Sequence, residues 1–170
     1  GLYTPLHGAP VIGRAIARLA QDPRIKFTMV GSGQEHDETV RVAGDGARVR
    51  WIPCVDSSEL PALVASQHVC LGIFGTTPKA LRVVPTKVYQ GLAAGNVVVT
   101  SDTPAQRRAL GDAARYVPPG DDAALAAVLA ELADDAVAGR LGAGERSAVS
   151  TRFLPGAVVA PLDERRSRSE

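Results

Sequence analysis

Three cations beside a helix start, and two glycine-containing turns, are the residues of this sequence whose types and spacing could do chemistry. Lys79 and Arg82 stand in the loop from Gly75 to Val83, and Lys87 follows Pro85 at the head of a helical stripe. Val84, Val88 and Leu92 recur at helical spacing and mark the buried side of that stripe. Pro85 fits the first turn, where its missing N–H costs nothing. The amides of Thr86 and Lys87 then have no partner within the helix, and the dipole at that end favours negative charge. Lys87 and Gln90 are three residues apart and share an exposed face. Together these groups describe an anion site that needs no metal. Solvated surface lysines and arginines are the plain alternative, because both residue types are usually exposed.

The first turn is Thr4-Pro5-Leu6-His7-Gly8, which leads into a second helical stripe. Gly8 would let the backbone approach a ligand closely, and the helix start behind it would offer free amides to an anion. Taken in isolation, an ordinary turn is the favoured reading, because Gly- and Pro-rich turns are common. The second turn, Gly31-Ser32-Gly33, follows a short apolar run. It lacks the third glycine and the spacing of a dinucleotide fingerprint, which disfavours a nicotinamide-binding domain. His68 and Cys70 form an H-x-C with Cys54 upstream, but no second close pair completes a zinc set.

The elements that would position these turns alternate in type. Val11, Ile12, Ala15, Ile16 and Leu19 form a helical stripe that starts near Pro10 and stops at Asp22-Pro23. Strands are expected at Phe27–Val30, Val49–Ile52, His68–Phe74, Val97–Thr100 and Arg115–Val117. The near-continuous apolar run His68–Phe74 reads as a strand buried on both faces. Helices are expected at 35–43, after a capping-box-like Asp56 and Glu59, from about Pro85 to Ala94, from Pro104 to Leu110, and after Gly120-Asp121. Alternation of this kind predicts an α/β fold, a doubly wound and mostly parallel Rossmann-like sheet with helices on both faces. The chain opens on a helix where a parallel unit would open on a strand, so a first strand is expected upstream of Gly1. In such sheets ligands bind outside the carboxyl ends of the strands, where the three loops above would lie.

Bulk composition agrees with one domain. The chain has 170 residues, 45% hydrophobic and 22% charged, with a formal net charge of +1. That balance excludes a strongly basic nucleic-acid binder and a membrane span. Residues 1–155 are read as the domain, and 156–170 as an extension whose Arg165, Arg166 and Arg168 form a solvated tail.

The motifs in order resemble a known family. They are Pro5-Leu6-His7-Gly8, FTMVGSGQ from Phe27, Trp51-Ile52-Pro53, LGIFGT from Leu71, VPTKVYQGLAAGNVVVTSDTP from Val84, and YVPPGD from Tyr116. This succession is similar to the C-terminal domain of family 4 glycosyltransferases, from about Leu2 to Ala133. The resemblance implies a GT-B enzyme whose C-terminal half binds a nucleotide-sugar donor, acting with retention, without metal and without a separate cofactor. Departure of a nucleoside diphosphate develops negative charge, which preorganised cations and amides stabilise. On that reading Lys79, Arg82, Pro85, Thr86, Lys87 and Gln90 hold the diphosphate and nucleoside, with His7, Gly8, Gly31 and Gly33 on facing loops. His7, Lys79 and Arg82 would assist the leaving group. The acceptor would sit on an absent N-terminal domain, in a cytoplasmic protein with peripheral membrane association left open.

One departure stands out. The family usually carries two glutamates, the second just before an A-x-A-x-G segment, where this chain has Arg82 and Gln90. An amide still donates to and accepts from ribose hydroxyls, whereas a guanidinium cannot accept. A non-catalytic module of the same fold is therefore an alternative. A nucleotide-sugar epimerase of GT-B architecture is another, although it would want more acid/base side chains than His7.

Overall fold

The computed structural model describes residues 1–137. The proposed boundary at residue 155 and the arginine-rich tail lie outside them. The described elements are α1 (Ala9–Arg18), β1 (Phe27–Val30), α2 (His36–Ala43), β2 (Val49–Ile52), α3 (Leu60–Ala65), β3 (Val69–Leu71), α4 (Thr86–Ala93), β4 (Val97–Ser101), α5 (Pro104–Leu110), β5 (Arg115–Val117) and α6 (Asp122–Val137). The expected α/β alternation is therefore present.

Among the described residues all strand pairs are parallel, and they form two sheets. In one, β1 runs beside β2 with Met29 opposite Trp51. In the other, β4 is central, with Cys70 of β3 opposite Val98 and Tyr116 of β5 opposite Thr100. Helices cover both faces. Val11, Ile12, Ala15 and Ile16 of α1 and Leu125, Leu129 and Leu132 of α6 pack with Phe27, Phe74, Val99 and Val117. Val88 and Leu92 of α4, Val98 and Leu110 form the second core. Asp122 at the head of α6 ties the first layer together by accepting from Arg14 (3.1 Å) and Arg18 (2.6 Å) of α1.

Local chemistry explains the element ends. Thr103 caps α5 by accepting from the Gln106 amide at 3.2 Å, and Asp121 caps α6 by accepting from the Ala124 amide at 2.8 Å. Two expectations are corrected. Asp56 does not cap a helix: its carboxylate accepts from the Ser58 amide at 2.8 Å and the Ser58 hydroxyl at 2.6 Å, closing a local turn. The helix starts later, at Leu60, with Pro61 in its first turn. The run His68–Phe74 is paired as a strand only over Val69–Leu71, and those residues are half-buried instead of buried on both faces. The physical reason is that β3 has a ladder partner on one edge only, β4. Beyond Leu71 the chain stays against β4 through Gly72 N–H to Val99 O (2.8 Å), and Ile73 and Phe74 are fully buried.

No described helix is long and apolar enough to cross a membrane.

Candidate functional site

The site grows from the loop before α1. Gly8 stands at φ +61°, a left-handed conformation that turns the chain into the helix without a side-chain cap. A Cβ there would lie 2.4 Å from the Gly75 amide nitrogen, so the backbones of the two loops touch. His7 is held on the other side of that contact. Its carbonyl accepts from the Phe74 amide at 3.0 Å, and its Nδ1 lies 3.0 Å from the Thr4 hydroxyl. The mouth of α1 is thereby pinned to the exit of β3.

From across the fold, α4 brings Lys87 and Gln90. Pro85 is one position earlier than the sequence suggested: it is the N-cap, in extended conformation, and Thr86 is the first helical residue. The amides of Thr86 and Lys87 remain free of intrahelical partners by position. Lys87 departs from its expected exposure, because the residue is half-buried. Burial, the largest cause, pulls its pKa down to about 8, against a smaller raising effect from Cys70. His7 is pulled down to about 4, first by burial, then by the charge of Lys87, then by the amino terminus. A neutral imidazole and a reluctant ammonium therefore sense each other.

His7, Lys87 and Gln90 line one cavity of about 450 Å³, together with Gly1, Leu2 and Tyr3. Lys79 and Arg82 do not line it. They belong to the preceding loop, whose short 3-10 turn Ala80–Arg82 is tied back by Arg82 Nε donating to Pro78 O at 2.8 Å. Gly31 and Gly33 meet residues 1–3 of the chain itself: a Cβ on Gly31 would lie 1.6 Å from Gly1 O, and one on Gly33 2.8 Å from Tyr3 N. Cys54 is exposed, and the Cys70 sulfur accepts from Asn96 Nδ2 at 3.2 Å.

Two residues escaped the sequence reading. Glu35 is half-buried, and its carboxylate accepts from the Ala9 amide at the head of α1. Burial, then the charge of Glu38, raises its pKa. Its Oε2 is buried with no hydrogen-bond donor among the described residues. Tyr3 is 4% exposed and meets His36 edge-on at 5.1 Å between ring centroids, with His36 in turn 5.9 Å from Trp51. The only sequence signal for either was proximity to the two glycine turns.

Free amides, a half-buried lysine and a neutral histidine at the exit of a parallel sheet can bind an anionic group and stabilise charge developing on it.

Known proteins resemble this chain in sequence and in fold. A family model described as "Glycosyl transferases group 1" matches residues 1–135. The phosphatidyl-myo-inositol mannosyltransferase of Mycolicibacterium smegmatis is 35% identical over 136 residues, covering 77% of this chain and 34% of that protein. The chain thus spans about a third of that relative. Among solved structures, Anabaena Alr3699/HepE in complex with UDP superposes with a TM-score of 0.75 at 15% identity, over 100% of this chain and 47% of that one. The C-terminal domain of LpcC from Francisella tularensis, a glycosyl transferase group 1 protein, gives 0.70 at 17% identity, over 90% and 82%. The catalytic domain of cholesterol-alpha-glucosyltransferase from Helicobacter pylori gives 0.72 at 15% identity, over 91% and 95%. At such identities the structures establish a shared GT-B-type fold. The family match covers most of the sequence, and on that ground the chain belongs to the glycosyl transferases of group 1.

Proposed function

We propose that this chain is the donor-binding half of a glycosyltransferase that moves a sugar from a nucleoside diphosphate to an acceptor, with retention and without metal. One observation carries the reading: the heads of α1 and α4 bring His7, Lys87 and Gln90 to one cavity beside the exits of parallel strands. In this scheme the α4 amides and Lys87 hold the diphosphate, and Gln90 reaches the nucleoside ribose. Charge appears on the diphosphate as the glycosidic bond to it breaks, and Lys87 is the group best able to answer it. The half-buried ammonium is partly desolvated, so its attraction to a new negative charge is stronger than in open water. His7 enters neutral and serves as a hydrogen-bond partner for the sugar or a phosphate oxygen. Lys79 and Arg82 supply a longer-range positive field from the loop. Anabaena HepE, of the same fold, was solved with UDP and with UDP-glucose, which supports a nucleotide-sugar ligand. The acceptor belongs to a separate domain.

Titration of the chain with UDP and with GDP, followed by amide NMR, tests the proposal. Shifts clustered at Gly8, Thr86, Lys87 and Gln90, with weak affinity and no turnover, are expected. Absence of any response to either nucleotide rejects it. Arg82 and Gln90, standing where the family usually has glutamates, favour a second reading: a module that binds nucleotide but does not transfer sugar. Transfer activity in a protein that joins this chain to its acceptor domain would decide between the two.

A further inference from the structure

The turn that carries His7 engages one nitrogen of its ring. His7 N–H donates to Thr4 O at 2.8 Å, closing a four-residue turn in which Pro5 suits the second place. The His7 carbonyl is taken by the Phe74 amide at 3.0 Å. With both backbone groups engaged, the ring is what remains to be oriented, and its Nδ1 lies 3.0 Å from the Thr4 hydroxyl. A threonine hydroxyl in a turn commonly bonds a backbone amide a few residues on. Here the His7 amide goes to the Thr4 carbonyl, so the hydroxyl is left for the ring. His7 lines the cavity beside Lys87 and Gln90, whereas Thr4 is not among the lining residues. Nδ1 is thus committed to the turn, and Nε2 is the ring nitrogen left for a ligand.

A neutral imidazole carries one N–H, and the place of that hydrogen decides what the ring can bind. Burial and the charge of Lys87 keep this ring neutral above about pH 4. The Thr4 hydroxyl has a proton to place, and Nδ1 is the acceptor at hydrogen-bond distance. Once Nδ1 accepts it, the imidazole's own hydrogen must stand on Nε2. A ring in that tautomer donates into the cavity and accepts nothing there. Ionised phosphate oxygens accept and do not donate, so they match it, while a sugar hydroxyl would suit either tautomer. The opposite tautomer would set the Nε2 lone pair against the phosphate oxygens.

We propose that Thr4 is a positioning residue: its hydroxyl donates to His7 Nδ1, holds the ring hydrogen on Nε2 and so directs that N–H to a phosphate oxygen of a nucleoside diphosphate. Thr4 touches no ligand and acts only through the ring. The inference rests on the cavity being a nucleotide site and sharpens that reading, because it gives His7 to the phosphates and withdraws it from the sugar.

The test compares the parent with Thr4→Val, which loses the hydroxyl at nearly equal volume, and Thr4→Ser, which keeps it. Long-range proton–nitrogen NMR correlation of the ligand-free chain at neutral pH reads the tautomer. The parent and Thr4→Ser should be protonated on Nε2, and Thr4→Val should populate both tautomers. UDP binding should weaken about fivefold in Thr4→Val, the scale of one hydrogen bond, and stay within about twofold in Thr4→Ser. Uridine, which lacks phosphate, should bind all three alike. Thr4→Ala carries the same expectations as Thr4→Val if the valine variant loses the parent's amide spectrum. A parent ring protonated on Nδ1 overturns the proposal without any variant. Equal losses of UDP and uridine binding also overturn it, since they make Thr4 a support of the fold alone. Failure of the parent to bind UDP rejects the nucleotide site and this role with it. UDP binding that Thr4→Val leaves unchanged rejects the role of Thr4 and spares the site.

Discussion

The His7 carbonyl accepts the Phe74 amide at 3.0 Å, joining the mouth of α1 to the exit of β3 through backbone alone. Gly8 makes that junction possible. Its φ of +61° and its 2.4 Å Cβ approach to the Gly75 nitrogen leave no room for a side chain against atoms that cannot rotate away. Gly8→Ala is expected to destabilise the domain by about 2–4 kcal/mol, combining left-handed strain with a backbone clash. Urea titration reads the loss. A change below about 0.5 kcal/mol would show that the two loops slide apart freely.

His7 is expected to titrate near pH 4 in the folded chain, against an ordinary value of 6.5. Its charged form is disfavoured by folding, so the unfolded chain binds more protons between those values. Stability should therefore rise with pH from about 4 to 6.5 and be flat in this respect above. His7→Gln should flatten that limb. Proton NMR of the imidazole measures the pKa directly, and a value above 6 contradicts the enclosure. Lys87→Met should raise it only in part, since burial outweighs the lysine charge.

Lys87 gives the matching alkaline limb. Its pKa falls from 10.5 to about 8, so below pH 8 the cost of enclosing a charge is fully present. Stability should climb from about pH 8 to 10.5 as the unfolded chain alone retains the proton. The difference between the parent and Lys87→Met isolates this contribution from other lysines and tyrosines. The same variant should weaken UDP or GDP binding roughly tenfold, the scale of one charge-assisted hydrogen bond. Affinity that stays within twofold in calorimetry removes Lys87 from the diphosphate site.

The fold could be read from sequence wherever a segment carried its own instruction. Phe27–Val30, Val49–Ile52 and Arg115–Val117 are short apolar runs between Gly, Pro or Asp turns, and each is a strand as expected. The Asp121 cap and the α6 stripe were equally local. What escaped depends on distant partners. Helical spacing places Lys87 beside Val88 but says nothing of His7 and Gly1, which arrive from the other end of the chain and share its cavity. The apolar run at β3 implied burial on both faces, which depends on how far helices from elsewhere in the chain cover each face, and its three paired residues are half-buried. The glycines of Gly31-Ser32-Gly33 invited a ligand, and the residues they accommodate are the chain's own first three. Pro85 differs by one position because propensity fits N1 and N-cap nearly alike.

Glu35 sets the last expectation, because a carboxylate at the first amide of α1 opposes any anion brought to that mouth. Its bond to the Ala9 amide satisfies the helix start, while its second oxygen is buried without a donor among the described residues. Glu35→Gln keeps a carbonyl acceptor for Ala9 and removes the charge. Binding of UDP or GDP should tighten about threefold in low salt and converge on the parent as ionic strength rises, the signature of a screened repulsion. Folding should respond in a defined direction too. Burial raises the Glu35 pKa above 4.5, so the folded parent holds its proton longer than the unfolded chain and loses stability as pH rises through that window. The glutamine variant lacks that decline and should be at least as stable at neutral pH. Weaker nucleotide binding by Glu35→Gln, with stability intact, would instead make Glu35 a positive part of the site, accepting from hydroxyls of the ligand.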